Sequence, residues 1–380
     1  MCCAEESPYA LVGVGEKKRV DPQGMLERVY RYPEDLEDAA ERYMGREISL
    51  PREPKGIVVL GMGGSAIGGL FIRDLVYESY GSPVLVEPRM RLPRYVDDGY
   101  LVITVSYSGN TEETLRGLRD VLDRGISPIC ISSDGFLEKI ADRRGLVCYK
   151  LPPGLPPRVS FPYMAVALLS IFENLGLSHL DELRRAIERL RSVRRRVFES
   201  LSREGGSEIS VDAAGEGGVR EHIVDIVCGA TPLVYSYTPY VSPGYRAKTQ
   251  FNENAKLHAF YGELPEVNHN EIMGWDCWSA RRFKPVLLRG AREDEAMRHR
   301  IEFLEEYWRE IGARALEIKV GEDSLLAELL ELFFTVDALS VVTAIRRGVD
   351  PTPVETIARL KKYLAEKIPP GEYLSGLLDA

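Results

Sequence analysis

Hydroxyl groups crowd into residues 101–114, LVITVSYSGNTEET, where Ser106, Ser108, Thr111 and Thr114 directly follow an apolar run. That run is largely β-branched and long enough for one buried strand. Gly109 permits close backbone approach in the turn. Glu112 and Glu113 open a helix for which Thr111 is the expected N-cap. Strand, hydroxyl-rich turn and helix start together make an anion cradle. Backbone N–H groups and the positive end of the helix dipole would hold a phosphate, with the serines completing its shell. A solvated turn before a capped helix is the plain alternative, and four hydroxyls in nine residues argue against it.

A second glycine-rich turn precedes this one. An apolar run at 57–61 leads into GMGGSAIGG at 61–69, which fits G-x-G-x-x-A and therefore admits a dinucleotide. Glu87, ending the next apolar run, stands where a ribose-binding acid would. Against the dinucleotide, Gly64 is followed by a hydroxyl at Ser65, and the third strand ends in the second hydroxyl turn. Two such turns on neighbouring strand ends suit one phosphate held from two sides, as a sugar phosphate requires.

Proton-transfer chemistry is sought in the second half of the chain. TQFNENAK at 249–256 sets Glu253 between Asn252 and Asn254, in a helical pattern at 243–259. GELPEVNHNEIMG at 262–274 sets His269 between Asn268 and Asn270 in an irregular segment, a place suited to a proton donor. An i,i+3 ion pair with Lys256 is the simpler account of Glu253. His258 reads as structural. The chain has only two glutamines, Gln23 and Gln250, and six asparagines, five of them in these stretches or at Asn110. Thermolabile amides are scarce in proteins of hot-living organisms, so a chain that avoids them and then clusters them is using them there.

Composition narrows the partners. The net charge of −9 over 380 residues argues against a nucleic-acid surface. No apolar run reaches membrane-spanning length, and no secretory signal opens the chain. Six scattered cysteines without a CxxC pair read as reduced, structural and cytoplasmic. Five histidines without HxH or HExxH spacing predict no metal site, and no cofactor is called for.

The elements that must position these residues alternate. Strands are expected at 57–61, 83–87, 101–106, 128–132 and 147–151, with helices at 65–80, 111–124 and 135–143, which describes a doubly wound parallel sheet. Residues 33–44 read as a further helix. The proline-rich connector at 151–162 carries Arg158, either a solvated arginine or a guanidinium brought over the strand ends to steady an oxyanion. Two helical patterns fill 163–202. Further strands are expected at 223–228, 232–237, 286–288 and 315–320, with helices at 294–311 and 324–347. The expected organisation is an N-terminal arm at 1–55, an α/β domain at 56–202, a linker or insertion at 203–221, and a second α/β domain at 222–380.

GMGGSAIGG, SYSGNTEET, PPR, QFNENAK, ELPEVNHNEI and the C-terminal GVDPTPVETIARLKK resemble the bifunctional phosphoglucose/phosphomannose isomerases of archaea and bacteria. These belong to the phosphoglucose isomerase superfamily and are built from two sugar-isomerase (SIS) domains. The resemblance implies a hexose 6-phosphate substrate, held at its phosphate by Gly64, Ser65, Ser106, Ser108 and Thr111. It implies Glu253 as the base between C1 and C2, Arg158 at the enediolate, and Lys361 at the ring oxygen, with Lys362 as the neighbouring alternative. It further implies a homodimer in which His269 reaches the site from the partner subunit to open the ring. A threonine that the family often places shortly before the lysine is replaced by Val354, which bears on how the mannose epimer is tolerated. Two other classes compete: a non-catalytic SIS-domain sugar-phosphate sensor, which would need neither Glu253, His269 nor Lys361, and an NAD-dependent oxidoreductase.

Overall fold

The structure is a computed structural model that describes residues 7–13, 19–50, 54–202, 218–220, 226, 229–321 and 323–378. Two sheets organise it. The first runs β2-β1-β3-β4-β5, all parallel, from β1 (Ile57–Leu60), β2 (Val84–Glu87), β3 (Leu101–Ser106), β4 (Ile129–Ser132) and β5 (Cys148–Lys150). Every residue of β1, β3 and β4 is buried, which is why these strands read as unbroken apolar runs rather than alternating ones.

Helices cover this sheet. They are α4 (Gly64–Val76), α5 (Glu112–Asp123), α6 (Gly135–Arg144) and α7 (Phe161–Glu173); α1 (Pro8–Leu11), α2 (Met25–Tyr30) and α3 (Tyr32–Tyr43) precede them in the chain. All five expected strands of this sheet are present, each within a residue or two of its expected ends. The chain reverses its progress across the sheet between β1 and β3, so the crevice at their carboxyl ends is a topological switch point, where ligands of such sheets bind.

The second sheet runs β6-β10-β9-β7-β8, from β6 (Gly218–Arg220), β7 (Thr231–Ser236), β8 (Phe260–Glu263), β9 (Phe283–Arg289) and β10 (Leu316–Lys319). Four of its strands are parallel and β6 lies antiparallel at the edge against β10. Its helices are α8 (Leu180–Ser202), α9 (Val241–Glu253), α10 (Glu295–Glu310) and α11 (Leu325–Arg346). The helix expected over 243–259 stops at Glu253, and the residues beyond it lead into β8. Neither β6, which falls in the expected linker, nor β8 was anticipated: three- and four-residue edge strands leave little periodic signal. The strand expected at 223–228 lies, apart from Ile226, outside the described residues.

The compact units differ from the linear division expected. One comprises Asp35–Leu180 with Val354–Ala380, the other Met1–Glu34 with Asp181–Pro353. Thus α12 (Glu355–Lys367) and α13 (Pro370–Leu374) belong with the first sheet. Tyr373, Leu374 and Leu377 complete an apolar cluster with Leu115, Leu118, Leu137 and Ile140. Arg144 then ties the carbonyls of Gly376 (2.7 Å) and Leu377 (3.2 Å). Described residues of the stretch expected as an N-terminal arm are packed as well. Buried Asp21 accepts from the N–H groups of Met25 and Leu26, and Tyr32 lies against Phe334 of α11.

Candidate active site

At the carboxyl end of β1 the chain turns through Gly63, whose φ of +52° suits glycine, into α4. Gly61 lets this turn lie against its neighbour. A Cβ there would stand 3.0 Å from the Val105 carbonyl and 3.1 Å from Ser65 Cβ. Ser65 is buried in the first turn of α4. At the end of β3, Ser106 Oγ donates to Thr111 Oγ1 at 3.0 Å, and Asn110 N donates to Ser108 Oγ at 3.3 Å. Gly109 has φ +63°, and a Cβ there would fall 1.7 Å from the Asp134 carbonyl, so the turn cannot close with any other residue.

Neither helix start at these turns is capped by a side chain. Thr111 occupies the N-cap position of α5, as expected, but its hydroxyl is engaged with Ser106 rather than with the helix. Ser65 N donates to the Met62 carbonyl at 2.9 Å; no side chain takes the other first-turn donors, and the dipoles of both helices favour an anion there.

The proline-rich connector is brought to this crevice. Tyr107 OH donates to the Pro152 carbonyl at 2.8 Å and accepts from Leu155 N at 2.8 Å, which pins the connector to the second turn. Its 3-10 segment, Pro157–Ser160, passes beside the first turn, the Pro157 carbonyl lying 3.9 Å from where a Gly64 Cβ would be. Arg158 within it is 5% exposed, hence not a solvated surface arginine. Gly64, Ser65, Ser106, Ser108 and Thr111 thus share one crevice with the segment that carries Arg158. Sequence reasoning missed the supports beneath them: Ser132 Oγ donates to the Ser106 carbonyl (2.8 Å), and Ser133 Oγ to that of Tyr107 (2.6 Å). Tyr107, an aromatic between two serines, was the available signal. Glu87 is engaged locally, accepting from Arg89 N at 2.9 Å and from the Arg89 guanidinium at 3.3 Å.

In the other unit, Glu253 is the last residue of α9 and not mid-helix; it is half-buried. The helix stops because Asn252 Nδ2 donates to the Leu257 carbonyl (2.8 Å) and Lys256 takes a positive φ of +53°. The Lys256 ammonium bonds the carbonyls of Glu253 and Pro351. A polar ladder fixes the helix against α11. Arg246 is bidentate on Asp337 at 2.7 and 2.6 Å, Gln250 donates to Asp337 at 2.6 Å, and Asn254 donates to Ser340 Oγ at 2.9 Å. Arg246, Gln250 and the C-cap residue Asn254 recur every four positions, so they are presented along one face.

Burial works against the Arg246 charge. The Asp337 carboxylate outweighs it and, with a smaller contribution from Glu253, raises the guanidinium pKa. This ladder explains why a chain so poor in amides keeps Gln250 and Asn254. His269 ends a 3-10 turn after β8 and is exposed, as is His258 in the segment following α9. Lys361 and Lys362 lie on α12, none of whose residues is buried, and Val354 is its N-cap. Lys361 therefore belongs to the first sheet's unit, whereas Glu253 and His269, with which it was grouped, belong to the other.

Among the described residues, no helix is long and apolar enough to cross a membrane. The model for the bacterial phospho-glucose isomerase C-terminal SIS domain matches residues 221–364, and the SIS domain model matches residues 52–142. Among solved structures, a hypothetical protein of Thermus thermophilus superposes with a TM-score of 0.66 at 16% identity, covering 95% of this chain and 94% of that one, a likeness of fold. A D-glucosamine-6-phosphate 4-epimerase of Sulfolobus acidocaldarius is 30% identical over 71% of this chain and 79% of its own length. The bifunctional phosphoglucose/phosphomannose isomerase of Aquifex aeolicus is 35% identical over 89% of this chain and 99% of its own. With both SIS domains matched and the likeness running nearly end to end, the chain belongs to the bifunctional phosphoglucose/phosphomannose isomerase family.

Proposed function

We propose that this protein interconverts glucose 6-phosphate and mannose 6-phosphate with fructose 6-phosphate. The observation that carries the reading is the pair of uncapped helix starts at one switch point, lined by Ser65, Ser106, Ser108 and Thr111. In this reading they hold the substrate phosphate. Glu253 moves the proton between C1 and C2. The two aldoses differ only at C2, so loss of that proton leads both to one enediolate. Arg158 carries the developing negative charge, which lets the reaction run without a metal. His269 opens the ring and Lys361 assists at the ring oxygen. Val354, where the family often has threonine, sets how readily the mannose epimer is handled.

A carboxylate base contributes about 10²–10⁴-fold. Glu253→Gln is therefore expected to lower kcat on both aldoses by at least about 10²-fold with Tm unchanged. Near-normal turnover would remove Glu253 from the role. NMR of the products separates this reaction from epimerisation at C4, the activity named for the Sulfolobus relative.

The enzyme works in this reading as a homodimer with His269 supplied by the partner subunit. Phe260 and Met273, on either side of His269 in the chain, are 55% and 85% exposed, apolar area that a second copy would cover. Mixed refolding of inactive Glu253→Gln and His269→Asn chains should recover activity, because hybrid dimers hold one intact site. No recovery while hybrids form would place both groups in one subunit's site. A cytoplasmic location fits the thiols of Cys130 and Cys148, register partners on β4 and β5 that remain free.

A further inference from the structure

The amino-terminal edge of the second sheet holds a cavity of about 790 Å³. It opens between the residues leading into β7, β9 and β10, opposite to the strand ends at which ligands of parallel sheets ordinarily bind. Four cationic residues line it: Arg281, Arg282 and Lys284 at the start of β9, and Arg314 just before β10. None of its described lining residues is Asp or Glu, in a chain whose net charge is −9. Gly229 and Gly312 line it as well and add no side chains to its wall. Lys284 is 4% exposed, so one charge lies at the buried base while the arginines stand at the exposed rim. Neither Glu253, His269 nor any residue of the hydroxyl turns is among those lining it.

We propose that this cavity is a second anion site, for a small ligand carrying two or more phosphoryl groups. Four cations in one cavity exceed the charge that one phosphate neutralises, whereas a diphosphate carries more charge and offers oxygens to both contributing segments. Guanidinium groups provide planar, bidentate donors suited to such oxygens, and clustered like charge draws an anion in. A reporter is built in. The Arg282 guanidinium lies 4.0 Å from the centroid of the Trp278 ring and bonds the Trp278 carbonyl at 3.3 Å. An anion drawing Arg282 away changes the environment of an indole that is 58% exposed.

The test is calorimetric titration of the full chain with inorganic pyrophosphate, in saturating fructose 6-phosphate so that the sugar site is occupied. Saturable binding is expected, weakening as salt is raised, with a change in Trp278 emission that Trp278→Phe abolishes. Arg282→Ala with Arg314→Ala should weaken pyrophosphate at least tenfold while the KM for glucose 6-phosphate stays at the wild-type value. Pyrophosphate binding that fructose 6-phosphate abolishes, or that the double variant retains at full strength, would overturn the second site. Neither result depends on whether Glu253 is the base.

Discussion

The turns after β1 and β3 of the first sheet and the turn after β9 of the second stand at the same strand ends and are treated in opposite ways. After β1 and β3 the turns are glycine and hydroxyl, and no side chain caps the helices that follow. After β9 three successive backbone donors of the turn are taken. Tyr237 OH accepts from Gly290 N (3.2 Å), buried Glu328 from Ala291 N (3.2 Å), and Tyr240 OH from Arg292 N (3.0 Å). Glu328 also holds the Tyr240 hydroxyl and the Arg292 guanidinium. Burial, Glu293 and Glu328 push the Tyr237 and Tyr240 hydroxyls well above the usual phenol range, so they remain neutral donors. A carboxylate of the protein occupies in one sheet the electrostatic role left to a ligand in the other. Gly290 allows this, since a Cβ there would meet the Tyr240 ring at 2.1 Å. One fold therefore yields an anion cradle or a closed structural end, depending on whether acids and tyrosines fill the turn.

The contrast can be broken from either side. Glu328→Gln removes a fully buried charge on which Tyr240, Arg292 and two backbone donors converge. It should cost about 2–4 kcal/mol, read as a lower Tm, with the KM for sugar phosphates unchanged. A tenfold rise in KM would show that the second sheet's closed end also serves binding. Thr111→Asp makes the first sheet resemble the second by supplying its own anion at the start of α5. KM is expected to rise about tenfold or more, through like-charge repulsion worth about 1.4 kcal/mol. Stability should hold or gain about 0.3–1 kcal/mol from the dipole. A lower KM would refute the cradle. Ser106→Ala with Ser108→Ala is the mildest, a several-fold rise in KM at about 0.5–1.5 kcal/mol per lost hydrogen bond, and an unchanged KM would take both hydroxyls out of phosphate binding.

The first sheet was legible because its central strands β1, β3 and β4 are buried on both faces and its turns use residues with few other reasons to occur together. SYSGNTEET announces both where the strand ends and what its end can hold. The second sheet was harder. Edge strands β6 and β8 are short, and β8 is only partly buried, so no periodicity marks it. Glu253 stood out by its asparagine neighbours, yet α9 ends at that residue because of Lys256 and Asn252, whose geometry no helical pattern records. The Asp337 ladder joins residues some ninety positions apart, and only its rare glutamine hinted at it. The placement of Lys361 rests on apolar residues at 373–377, which nothing in the sequence ties to the first sheet.

Those terminal residues have a bearing on how the molecule can be dissected. The backbone passes from one compact unit to the other after Glu34, again after Leu180, and a third time after Pro353. No single cut liberates either half. A fragment carrying only the first five strands would leave Leu115, Leu118 and Leu137 without the cover of Tyr373, Leu374 and Leu377. Length variation around residues 373–377 thus acts on the sheet that begins at Ile57.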